Sequence, residues 1–304
     1  MKKYIWIIAF VVPGLIACDT NDVYEKELYK KVVAFICSDN YNVLEDVQEL
    51  TGEENSTFIG LSCGGTGAPE TDIRVSIIES EGPFNTYNVG MYDTDVSQYA
   101  KLLPKSHYSI EDYQVVIPKG ERTGRLDIKV RPDGLSPDSV YFIPLSISAM
   151  SAYEVNYEKS TMLYRLLIKN FYAQQQPDGY TYYTMRGYRD GAVMQASKEM
   201  QPINKNTVRM MPGNVSFLAE EEYIAKNALL VEVQSDNSVV ISAYKDIEVI
   251  QNDGDPDFPN IFLTEEDDWG RRFKVFFLAY SFRPEGEDDF VEIKEELRLQ
   301  YVDD

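Results

Sequence analysis

Apolar and polar residues alternate with period two along most of this chain, the pattern of strands with one buried face. The clearest case is Arg125-Leu126-Asp127-Ile128-Lys129-Val130. Strand-like runs cover Val32–Cys37, Ser56–Cys63, Ile73–Glu79, Tyr113–Pro118, Gly124–Arg131, Val140–Ala149 and Met162–Ile168. Pro118-Lys119-Gly120-Glu121 and Arg131-Pro132-Asp133-Gly134 read as turns between them. Tyr141 to Ile147 is apolar enough for a central strand, although Pro144 points to an edge or a bulge. One short helix is expected from Asp95 to Leu103, stopped by Pro104. Strands at this spacing predict an immunoglobulin-like β-sandwich over residues 31–172.

The segment Ala173-Gln174-Gln175-Gln176-Pro177-Asp178-Gly179 is polar and aperiodic, which predicts a domain linker at 173–179. Strand patterns resume at Tyr180–Tyr188, Thr207–Met211, Leu229–Gln234, Val239–Tyr244, Asp246–Ile250, Arg272–Phe282 and Phe290–Tyr301. Only Glu220 to Asn227 looks helical. Residues 180–304 are therefore expected to close as a small lipocalin-like β-barrel, with a second sandwich as the alternative. The predicted fold class is all-β.

The N-terminus follows a different pattern. Lys2 and Lys3 precede the apolar run Ile5–Val12, which is too short to span a bilayer, and Leu15-Ile16-Ala17-Cys18 has the form of a bacterial lipobox. Residues 1–17 are thus expected to be a signal peptide, Cys18 a lipidated first residue, and 18–30 a polar tether. This predicts an outer-membrane, lipid-anchored protein exposed at the cell surface, touching the membrane only through its anchor.

Charge and composition narrow the functions. The 304 residues carry 50 acids against 29 bases, a net charge of −21 that repels phosphate backbones and so argues against nucleic acid as a partner. One His and three Cys leave little for zinc, haem or cysteine–histidine chemistry. Cys37 and Cys63 remain after Cys18; in an oxidising compartment they can pair as a disulfide, or each can serve as a small core residue of its strand.

Several motifs are similar to a known pair of modules. Tyr99-Ala100-Lys101-Leu102-Leu103-Pro104, Tyr108-Ser109-Ile110, Ile117-Pro118-Lys119-Gly120-Glu121 and Tyr141-Phe142-Ile143-Pro144-Leu145 resemble the uncharacterised N-terminal β-sandwich module of surface lipoproteins in bacterial glycan-utilisation systems. The same module precedes the catalytic barrel of some family-18 glycoside hydrolases. Gly179-Tyr180, Met185-Arg186-Gly187, Asn206-Thr207-Val208-Arg209 and Phe277-Leu278-Ala279-Tyr280, with Val291 to Leu299, resemble the uncharacterised C-terminal β module that often follows it. The resemblance implies an accessory of polysaccharide uptake that captures oligo- or polysaccharide beside an outer-membrane glycan transporter complex. It transfers no catalytic residues.

Glycan binding needs flat aromatic rings for the apolar faces of pyranoses and polar groups for the hydroxyls. Tyr182, Tyr183 and Tyr188, just after the linker, and Trp269, in the acidic run Thr264–Gly270, are the candidate platforms. Alternation places either Tyr182 or Tyr183 in the core while its neighbour faces out. Asp253, Asp255 and Asp257 occupy every second position of Asn252-Asp253-Gly254-Asp255-Pro256-Asp257, a spacing suited to calcium, with an acidic surface loop as the plainer reading. No cofactor beyond calcium is suggested. His107 stands alone, and no nucleophile elbow, P-loop or dinucleotide motif appears, so no catalysis is expected. The alternatives are a structural or adhesive surface protein that docks partner proteins, and a glycosidase working through a carboxylate pair.

Overall fold

The computed structural model describes residues 29–302; the expected signal peptide, Cys18 and most of the expected tether lie outside the described residues. The first half contains β1 (Val32–Phe35), β2 (Val43–Glu49), β3 (Asn55–Gly64), β4 (Ile73–Glu79), β5 (Lys101–Leu102), β6 (Tyr108–Ser109), β7 (Gln114–Ile117), β8 (Thr123–Val130), β9 (Tyr141–Met150), β10 (Glu154–Val155) and β11 (Thr161–Lys169). They form two facing sheets, ordered β10-β1-β3-β8-β6 and β2-β11-β9-β4-β7, with β5 beside β9. Alternation decides which side chains meet between them: Ile59, Leu61, Leu126 and Ile128 of one sheet join Ile73, Val75, Ile143 and Tyr164 of the other in one core. This is the predicted sandwich.

The expected helix at Asp95–Leu103 is corrected. The helix is α1 (Glu81–Tyr92), whereas Val96–Gln98 is a single 3-10 turn followed by β5. Gly82, Pro83, Asn85 and Gly90 are poor helix formers, so local preference hides α1. Packing compensates: Tyr87 is buried edge-on against Phe142 at 4.8 Å.

Of the two roles left open for Cys37 and Cys63, the structure shows no disulfide between them. Cys37 is a free thiol whose Sγ–H points at its neighbouring Phe35 carbonyl, 3.8 Å away. Cys63 is the ladder partner of Val33, so Cys37 lies four residues further along the chain, two beyond the end of β1. At about 3.3 Å per residue that is roughly 13 Å, about twice the Cα separation a disulfide tolerates.

The second half contains β12 (Gln175–Gln176), β13 (Gly179–Arg189), β14 (Ala192–Asn204), β15 (Thr207–Met210), α2 (Glu221–Asn227), β16 (Leu229–Val233), β17 (Val239–Ala243), β18 (Glu248–Gln251), β19 (Ile261–Glu266), β20 (Arg272–Arg283) and β21 (Val291–Tyr301). One antiparallel sheet runs β17-β16-β15-β14-β13-β21-β20-β18, with β19 on β20. It curls into a nearly closed barrel. Asn237 and Asn260 join its ends: Val239 N donates to the Asn260 carbonyl at 2.8 Å, and Phe262 N to the Asn237 carbonyl at 2.9 Å.

The barrel interior is packed with Tyr183, Met185, Met200, Phe276, Tyr280 and Leu297. One ion pair is buried among them. Lys198 Nζ lies 2.9 Å from Glu295 Oε2 and donates to the Met211 carbonyl at 2.7 Å, while the Tyr280 hydroxyl donates to Glu295 Oε1 at 2.7 Å. Burial pushes the Lys198 pKa down, against the opposing pull of Glu295.

The segment expected as a loose linker is packed. Ala173 and Gln175 are buried, and β12 pairs with β13. Arg209 of β15 is fully buried and reaches into the sandwich, where its Nη1 donates to Asp138 Oδ2 at 2.9 Å and its Nη2 pairs with Asp138 Oδ1. Tyr180 and Gln175 both donate to the Pro137 carbonyl beside it. The two domains therefore meet across a buried polar junction.

Candidate functional site

The outer wall of the barrel presents every second residue of β13: Tyr182, Thr184, Arg186 and Tyr188 face out, while Tyr183 and Met185 face in. Tyr183 is 0% exposed and donates to the Tyr172 carbonyl at 2.7 Å, so its expected role as a glycan platform is corrected to a core role. Tyr188 is 44% exposed. Its ring stands edge-on to Phe258 at 6.3 Å and 90°.

The Tyr188–Phe258 pair divides two shallow depressions of about 280 and 290 Å³. Arg186, Val193, Gln195 and Glu296 line one side; Asp255, Asp257, Glu292 and Lys294 line the other. The sequence motifs are thus partly brought together, since Tyr188 meets Asp255 and Asp257 at one place.

Backbone geometry explains how. Gly187 is paired with Glu295 and Tyr188 with Lys294. A Cβ at Gly187 would overlap the Lys294 carbonyl oxygen and press on Glu295 Cα, so only glycine permits β13 and β21 to approach so closely here. The β13–β14 hairpin turns through Asp190 and Gly191, both at positive φ (47° and 78°), the conformation of a type I′ turn. Asp190 Oδ1 then accepts Glu292 N at 2.8 Å and fastens this turn to β21.

Phe258 comes from the loop after β18. Asp255 Oδ1 accepts the backbone N–H groups of Asp257 (2.9 Å) and Phe258 (3.0 Å), a local turn that aims the Phe258 ring at Tyr188. Asp255 Oδ2 meets Lys294 Nζ at 2.8 Å. The Lys294 ammonium holds the Asp255 carboxyl below the usual aspartate range, and Asp255 in turn raises Lys294. Deeper in the loop, buried Asn260 accepts Ala279 N at 2.7 Å and donates to the Asn252 carbonyl at 2.9 Å.

Asp253, Asp255 and Asp257, the calcium candidates, are engaged within their own loop. Asp253 is occupied by Gln251 and Asn260 side chains, and Asp255 by two amides and Lys294. Alternate residues of an irregular loop do not converge as alternate ligands of a cage would, and no metal-holding group of three acidic, His or Cys side chains occurs among the described residues. Arg186 Nε and Nη2 both donate to one oxygen of Glu296, Oε2 (2.9 and 2.7 Å), so its guanidinium stands at this edge largely exposed.

The remaining candidates lie elsewhere. Tyr182, six residues up β13, donates to Glu199 Oε2 at 3.1 Å. Trp269 is 80% exposed at the β19–β20 turn, stacked on the Arg271 guanidinium at 4.9 Å, seven positions or more along the ladder from the partners of Tyr188. Sequence reasoning missed Phe258, Arg186 and Lys294. Met185-Arg186-Gly187 is one of the resembling motifs, and Gly187 inside a strand was the available signal.

Two family models match the chain in tandem. One describes an N-terminal domain and covers residues 24–154; the other describes a C-terminal part of the same kind and covers residues 160–298. The chain thus has a two-module architecture. The second match takes in β11, the strand that leads from the sandwich into the barrel. No curated protein sequence matches the chain. Among solved structures, a Bacteroides ovatus protein of unknown function superposes with a TM-score of 0.65 at 15% identity, over 88% of this chain and 94% of its own. A multidomain protein including DUF1735 from the same organism gives 0.63 at 13% identity, over 88% and 94%. An auxiliary nutrient binding protein from Bacteroides thetaiotaomicron gives 0.58 at 16% identity, over 86% and 92%. The likeness at these identities is one of fold.

Proposed function

We propose that this chain is a non-catalytic, cell-surface lipoprotein that binds extracellular glycan as an accessory of a polysaccharide uptake system. The Tyr188–Phe258 cleft is the observation that carries the reading. The exposed Tyr188 ring and the half-buried Phe258 ring stand among carboxylates, a guanidinium and an amide. Such rings cover the apolar faces of a sugar, and the flanking Asp257, Glu292, Gln195 and Arg186 give acceptors and donors for its hydroxyls. The lipobox-like run Leu15–Cys18 supports the location, and the nutrient-binding protein of the same fold supports the setting. A transporter complex in the outer membrane is the partner to which captured glycan would pass.

Affinity electrophoresis and calorimetry across host and dietary glycans test this reading. Retention by at least one glycan is expected, with Tyr188→Ala or Phe258→Ala lowering affinity about tenfold. A chain that binds nothing on a broad panel defeats it. Cys18→Ala is expected to release the protein from the membrane fraction.

A further inference from the structure

The outer face of the sandwich carries a larger depression, of about 580 Å³, at β3 and β8. Both strands are interior to their sheet, so their outward residues form one continuous surface. The register pairs Ser56 with Lys129, Phe58 with Asp127 and Gly60 with Arg125. Ile59, Leu126 and Ile128, between them, point into the core.

The surface is therefore divided lengthwise. Along β3 one exposed ring stands between Ser56 and Gly60. Phe58 is 56% exposed, and next to it Ile36 leans across the space that Gly60 leaves open, its Cδ1 2.9 Å from where a Gly60 Cβ would sit. Along β8 runs a polar row of Arg125, Asp127 and Lys129, and beyond it stand Glu111 and Asp112. The charges are mutually paired: Arg125 Nε lies 3.1 Å from Asp127 Oδ1, and Lys129 Nζ lies 2.5 Å from Glu111 Oε1. Arg125 also flanks the Phe58 ring at 5.9 Å.

A protein partner is a poor match for this trough. The cores of protein interfaces are depleted of charged residues, whereas here five charged side chains surround a single exposed ring. Three acids against two bases give no attraction for a polyanion. A polyhydroxyl chain matches both the ring and the charged row: its C–H faces cover Phe58, and its hydroxyls exchange hydrogen bonds with groups already held in place by their own pairs.

We propose that this trough is a second binding site for uncharged glycan, separate from the barrel cleft. The inference rests on the glycan-binding reading of the chain. Its test uses the full mature chain and the uncharged polysaccharides that the wild type retains. Phe58→Ala is expected to lower affinity about three- to tenfold, Phe58→Tyr to preserve it, and Phe58→Ala with Tyr188→Ala to bind more weakly than either alone. The melting temperature of Phe58→Ala is expected to match wild type, because the ring is exposed. If Phe58→Ala binds like wild type, and the double variant like Tyr188→Ala, this site is refuted and the cleft stands. If the wild type binds no glycan, both readings fall. If Phe58→Ala instead loses a protein partner while glycan affinity is unchanged, the trough is a protein interface and the proposal is wrong.

Discussion

Asp255 grips Lys294 with one carboxylate oxygen, at 2.8 Å, while its other oxygen caps the backbone of Asp257 and Phe258. One side chain thus fixes both the strand partner of Tyr188 and the loop that bears its aromatic neighbour. Asp255→Asn keeps an acceptor for the turn and loses the ion pair, which is a weak contributor at a surface. Asp255→Ala loses both. Glycan affinity is expected to fall little in the first variant and about tenfold in the second, as Phe258 loses its aim. The pH dependence has a definite sign. The folded pKa is depressed, so the contribution is complete above the ordinary aspartate value of 3.8 and disappears as pH falls below it. Calorimetric titration between pH 7 and pH 3 is expected to show a nearly flat affinity, with only the small fall of the Asp255→Asn variant at the acid end.

Gly187 allows a close approach that no other residue shares in the cleft. Gly187→Ala drives a methyl group into the Lys294 carbonyl, with backbone on both sides and no flexible atom to yield. We expect a loss of about 3 kcal/mol in urea denaturation, at the upper end for overpacking. A variant as stable as wild type would show that the strands separate freely there.

Asp138 partners an arginine that has no access to water. Asp138→Ala leaves the Arg209 charge buried, with Gln201 as its remaining acceptor, a change expected to cost less than the ~3–5 kcal/mol of a fully buried pair, because the Asp138 side chain is 30% exposed. Because the pair joins the domains, differential scanning calorimetry is expected to resolve one cooperative transition in the wild type into two. A single unshifted transition in the variant would mean that Tyr180 and Gln175 suffice at the junction.

The thiols make a simple prediction. With Cys37 four residues out of register from Cys63, reductant is expected to leave the melting temperature unchanged, and Cys37→Ser to cost less than about 1 kcal/mol at this half-buried position. A fall of several degrees on reduction would indicate a bridge.

Strands that bury one face were legible to within a residue or two. β4 was read at Ile73–Glu79, because Ile73, Val75 and Ile77 are its buried face. The same alternation separated Tyr182 from Tyr183. Strands whose inward positions hold polar or helix-favouring residues were not legible. β14 carries Lys198 into the barrel and is rich in Ala, Met, Gln and Glu, so its pattern shows no strand period. β2 has Asp46 facing Tyr164 and Thr57, each at 2.7 Å, so an acid occupies a position that a strand template reserves for an apolar side chain. The cleft was half legible. Tyr188 and the aspartates announced themselves by residue type, but Phe258 joins Tyr188 through a ladder that passes along β20 and β21, and no local spacing encodes that contact. Trp269 was conspicuous for the opposite reason: a large ring in an acidic turn draws attention wherever the fold then puts it.

The seam at Asn237 and Asn260 has a further meaning. By spending their carbonyls on Val239 and Phe262, these asparagines tie off strand ends that would otherwise be templates for any extended peptide drifting past. Recruitment by strand addition is thereby discouraged at the seam, and a visitor to this wall must be told apart by what protrudes from it, which favours ligands with edges and rings over ligands with backbones.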